Sequence, residues 1–85
     1  MELNKYSYRS DAIGNLYKAS YYLARGSGRL AVNFLKKAKE KISDELDLQL
    51  IKFLNHPEDY LKDYWYQNYW AEKILDQYKK LKNGR

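Results

Sequence analysis

The sequence predicts an all-α fold, a compact antiparallel bundle of three to four helices, and three observations carry that prediction. One proline and four glycines in 85 residues leave few breaks in the chain. Between the breaks, apolar residues recur at spacings of three and four, the period of a helix face. No alternating strand pattern competes. Tyr21-Tyr22 and Tyr64-Trp65-Tyr66 have β-favouring side chains, but each lies inside a longer helical period.

The first helix is expected over about 8–25, after a mobile polar lead at 1–7. Ser7 or Ser10 can cap it, and Asp11 suits the positive end of its dipole. Ile13, Leu16, Tyr17, Ser20, Leu23 and Ala24 share one stripe, and Gly26 can supply the left-handed residue that closes many helices. Ser27-Gly28 leaves room only for a tight turn, so a second helix over about 28–43 should run back antiparallel. Its stripe is Ala31, Phe34, Leu35, Ala38 and Ile42, with the two alanines placed for close approach to the first helix. Ser43-Asp44-Glu45 either opens a new helix or sits within a continuing one. A short break is favoured, giving a third helix over about 44–55.

Asn55-His56-Pro57-Glu58-Asp59 is the clearest boundary. Proline suits a first helical turn, and the two acids complement the dipole. The last helix, expected over about 57–82, should be the longest and should organise the bundle. Lys79, Lys80 and Lys82 sit at its carbonyl end, before a frayed tail at 83–85.

A chain of this length fits one domain over 1–85 and buries roughly 60–65% of the surface its unfolded form exposes. Without cysteine, neither disulfides nor thiolate zinc can add stability, which leaves dense packing or self-association. No stretch approaches the roughly 18 apolar residues of a membrane span, and Met1–Arg9 lacks the apolar run of a signal peptide. The expected location is cytoplasmic.

Catalysis needs positioned groups, and few are present. With no cysteine and a single histidine, a Cys–His dyad is impossible and only His56 could serve a Ser–His–Asp triad. Beside Pro57 it reads as a turn or capping residue. His56, Glu58, Asp59 and Asp63 have the chemistry of metal ligands, yet acids in a first turn are the ordinary response to the helix dipole. No enzyme activity, metal or cofactor is therefore expected.

Ala19, Tyr22, Ala31, Leu35 and Ala38 fall at spacings similar to the small and aromatic positions of a tetratricopeptide repeat, with Gly26 near its turn. The resemblance covers about residues 12–43. Asn15 and Lys18 stand where that family prefers large apolar residues, and no second repeat follows. It implies a similar helical hairpin and carries over no binding residues.

Two surfaces remain as candidates. Leu61, Tyr64, Ala71, Ile74, Leu75 and Tyr78 form a core stripe on the last helix, while Tyr66, Tyr69 and Trp70 point away from it and Trp65 lies at its margin. Either the last helix has neighbours on two sides, or its second face meets another chain. Tyr and Trp are enriched in interface hot spots. The leading expectation is a non-enzymatic protein-interaction module that self-associates, or meets another protein, through Trp65, Tyr66, Tyr69 and Trp70.

The second surface is basic. The net charge is +5, and Met1–Lys41 holds nine Lys or Arg against three acids. Arg25 and Arg29 flank the Gly26-Ser27-Gly28 turn, and Lys36, Lys37, Lys39 and Lys41 follow; together they form a possible anion-binding set. The alternative expectation is a basic nucleic-acid-binding accessory protein acting through its first two helices.

Overall fold

The computed structural model describes residues 5–83, and 87% of them are helical, with no strand among them. Helix α1 spans Lys5–Ala24, α2 Gly28–Ile42, α3 Leu48–Asn55, α4 Pro57–Tyr60 and α5 Tyr64–Lys82, with a 3-10 turn at Ser43–Glu45. The all-α bundle is as expected, and several boundaries are corrected. Residues 5–7 of the expected mobile lead are already helical, and residues 1–4, 84 and 85 lie outside those described.

The α1–α2 turn follows from local chemistry. The Gly26 amide donates to the Leu23 carbonyl at 3.0 Å and the Ser27 amide to the Tyr22 carbonyl at 2.8 Å. These are the two bonds of a Schellman closure. They require a left-handed residue at Gly26, whose φ is +89°.

Two aspartates set the later boundaries. The Asp47 side chain accepts from the Gln49 amide at 3.1 Å, so α3 starts at Leu48 rather than at residue 44. Asp63 has extended backbone angles, and its side chain accepts from the Tyr66 amide at 3.1 Å. This side-chain cap starts a new helix at Tyr64 and splits the expected 57–82 helix into α4 and α5. Pro57 does occupy the first turn of α4. His56 ends α3 and precedes α4, but its side chain makes no capping bond.

Helix α1, not the last helix, is the longest and the organiser, because it packs along both α2 and α5. Its buried face is Ala12, Leu16, Ala19, Ser20 and Leu23; Tyr17 and Ala24, expected in the core, are exposed. The alanines let both neighbours approach closely, and a tyrosine would hold them apart. The Ser20 hydroxyl is buried without penalty, since it donates to the Tyr17 carbonyl at 3.1 Å. On α2 the expected stripe holds at Ala31, Leu35, Ala38 and Ile42, with Phe34 half-buried at its edge.

Helix α3 packs on α2 and, through Phe53, on Trp70 of α5. Two polar ties fix this layer. The Asp47 amide donates to Gln77 Oε1 on α5 at 2.6 Å. Arg9 near the start of α1 grips Glu45 in the 3-10 turn, donating from Nη2 at 2.8 Å and from Nε to both carboxylate oxygens at 3.1 Å. These bonds hold the Arg9 guanidinium above its ordinary pKa.

Gly14 lies inside α1, and a methyl group built there meets nothing within 4 Å outside the helix's own backbone. Mid-helix glycine costs roughly 0.5–1 kcal/mol relative to alanine through backbone entropy. Gly14→Ala is therefore expected to raise the melting temperature by several degrees, read by circular dichroism. An unchanged or lowered value would mean that α1 does not hold helical geometry at this position.

Candidate interaction surfaces

A relay of stacked rings runs from the core to the surface. Phe53, 1% exposed, lies face to face with Trp70 at 4.9 Å between ring centroids, and Tyr60 packs edge-on to Trp70 at 5.3 Å. Tyr69 meets Trp70 edge-on at 5.4 Å and stacks on Trp65 at 5.6 Å with planes 9° apart. Trp65 in turn meets Tyr66 edge-on at 5.0 Å. Residues four apart on a helix are neighbours on one face, which aligns Trp65, Tyr69 and Lys73; the Lys73 ammonium lies 5.6 Å from the Tyr69 ring.

Three of the four aromatic residues expected at a partner surface are thus together and exposed: Trp65, Tyr66 and Tyr69. Trp70 is corrected. It is 6% exposed and belongs to the core, because α3 and α4 place Phe53 and Tyr60 against it. Tyr64 moves the other way. Counted in the core stripe from its spacing, it is 67% exposed, since the chain breaks at 61–63 and Tyr64 opens the new helix.

The basic residues do not form one patch. Arg25, Arg29, Lys36 and Lys37 are exposed, while Lys39 and Lys41 are half-buried. Lys36 and Lys39 line a shallow cleft with Glu40, Ser43 and Leu54 toward α3. Arg25 and Lys37 lie instead among aromatic rings of α1 and α2. The Arg25 guanidinium sits 4.7 Å from the Tyr21 ring, and Lys37 lies 5.5 Å from Phe34. Lys18, which stood in the sequence only as a departure from the repeat pattern, also reaches Phe34 at 5.5 Å from across the hairpin. Phe34 is parallel to Tyr22, with planes 6° apart and centroids at 5.6 Å. In the sequence the only signal was Lys18 set three and four residues before Tyr21 and Tyr22.

The Gly26-Ser27-Gly28 turn serves the Schellman closure described above, so its amides at 26 and 27 are already used. His56 is exposed. Among the described residues, no three metal-binding side chains converge, no buried polar side-chain atom lacks a partner, and no helix is long and apolar enough to cross a membrane. No protein-family model, curated protein or solved structure matches this chain.

Proposed function

We propose that this chain is a non-enzymatic protein-interaction module that self-associates through the aromatic ridge at the start of α5. The observation that supports the reading is the relay from Phe53 and Trp70 out to Trp65, which leaves Tyr64, Trp65, Tyr66 and Tyr69 all at least 40% exposed. A single exposed aromatic is unremarkable, but Trp65, packed against both Tyr66 and Tyr69, joins three of them into a contiguous surface of the kind that marks interaction sites. Rings held by rings lose little conformational freedom on binding, so their burial converts efficiently into affinity.

Self-pairing suits the charges beside the ridge. Glu72, Lys73 and Asp76 follow the aromatics on the same helix, so both signs are present. A two-fold contact brings a patch against its own copy. A patch of one sign would repel itself, whereas this one can match cation to acid or cation to ring.

Trp65 is the residue to test, because its side chain is exposed and its loss leaves the core intact. Sedimentation velocity at several concentrations should show a monomer–dimer equilibrium for the parent chain. Trp65→Ala should weaken it by at least about 2 kcal/mol, the scale of a hot-spot aromatic, with the melting temperature of dilute protein unchanged. A parent chain that stays monomeric at high concentration removes the self-association reading.

A further inference from the structure

We infer that the outer face of α1, at its seam with α2, binds single-stranded nucleic acid. In the sequence, positive charge gathers in the first two helices and the densest aromatic run lies in the last. Folding assembles a second aromatic set within the basic half. Tyr17 and Tyr21 flank the buried stripe of α1 and are 48% and 44% exposed, with Tyr17 also resting against Tyr78 of α5 at 5.3 Å. Tyr22 and Phe34 fill the seam beside them, and Lys18, Arg25 and Lys37 each lie within 5.5 Å of a ring of this set.

This pairing matches the two parts of a nucleotide strand. Cations meet phosphates, while rings and the flat Arg25 guanidinium offer surfaces on which unpaired bases stack. A shallow cleft between α1 and α5 adjoins Tyr17 and Tyr21. Asn68 and Glu72 stand at its α5 side, where an amide and a carboxylate can meet the polar edge of a base. Among the described residues, Glu72 is the only carboxylate lining that cleft.

An acidic peptide would satisfy the three cations and leave Tyr17 and Tyr21 unused. A duplex keeps its bases stacked on one another and offers the rings nothing. The observations therefore favour a single strand. The rings and cations of this surface lie on α1 and α2, with Asn68 and Glu72 of α5 at its edge; none of Trp65, Tyr66 and Tyr69 lines the cleft, and the inference does not depend on self-association.

The test is fluorescence anisotropy at low salt. The probes are a labelled mixed-sequence 12-nucleotide single strand, its duplex, an abasic strand of equal length and polyglutamate as competitor. The single strand should bind at least ten-fold more tightly than the abasic strand and more tightly than the duplex, and polyglutamate should compete poorly. Tyr21→Ala should weaken binding five-fold or more, near the lower end of one stacked base, and Tyr21→Phe should restore it. Lys37→Gln should reduce the slope of log affinity against log salt by about 0.7. Trp65→Ala should bind like the parent, which separates this surface from the self-association ridge. Thermal melts establish that each variant is folded. Absence of binding at low salt overturns the inference, as does equal affinity for the abasic strand, preference for the duplex or efficient competition by polyglutamate.

Discussion

Trp70→Ala is expected to destabilise the fold by about 3–5 kcal/mol, the usual result of truncating a buried tryptophan. A domain of this length has on the order of 4–13 kcal/mol in total, so the variant should lose a large share of its stability. The reason is specific. Trp70 is the ring on which Phe53 of α3, Tyr60 of α4 and Tyr69 of α5 all rest. Removing it leaves a cavity where three helices meet, and none of them can shift to fill it without losing its other contacts. Circular dichroism melts of Trp70→Ala and Trp65→Ala side by side provide the check. The first should melt far lower and the second should match the parent. Equal melting temperatures would mean that Trp70 does not occupy the core.

Leu16→Ala should cost about 2–5 kcal/mol, for a different reason. Leu16 is fully buried on the helix that packs along both α2 and α5. Truncation there weakens both packings at once, and the alanines at 12 and 19 already bring the backbones close, so little further collapse is available. Chemical denaturation should show the midpoint falling with the slope unchanged, as for loss of stability without loss of the two-state transition. A cost below about 1 kcal/mol would place Leu16 at the margin of the bundle.

The α1–α2 hairpin was legible in the sequence because its determinants are local. A glycine that tolerates positive φ closes one helix, and Ala31, Leu35, Ala38 and Ile42 mark the buried face of the next. The start of α5 was not legible. Asp63 looks the same in sequence whether it is a first-turn acid or a cap, and only its extended backbone angles decide. Trp70 was misplaced by the same error. Spacing gives its direction relative to a stripe of Leu61, Tyr64, Ala71, Ile74, Leu75 and Tyr78, whose first two members precede or open the new helix; the buried face of α5 is Trp70, Ala71, Ile74 and Gln77.

The candidate surfaces divide along the same line. Trp65, Tyr66 and Tyr69 stand within two turns of one helix, so their common exposure could be read directly. The meeting of Lys18 with Phe34 depends on the register between two helices, which no spacing within either helix reveals. Positive charge counted along the chain likewise gave one patch, whereas the faces of α2 send Lys36 and Lys39 one way and Lys37 another.

The central place of α1 also orders the way the molecule can assemble. Tyr22 and Phe34 are joined by one short turn, so the α1–α2 hairpin closes at little entropic cost as soon as both helices exist. Tyr17 and Tyr78, whose rings lie 5.3 Å apart, stand near opposite ends of the described chain. The second flank of α1 must therefore stay uncovered while α2, α3 and α4 emerge from the ribosome, and it is sealed only when α5 arrives. During that interval Leu16 and its neighbours are half-dressed. Ala12, Ala19 and Ser20 interrupt the large side chains of this waiting surface, which makes it less adhesive than an unbroken run of leucines and tyrosines would be.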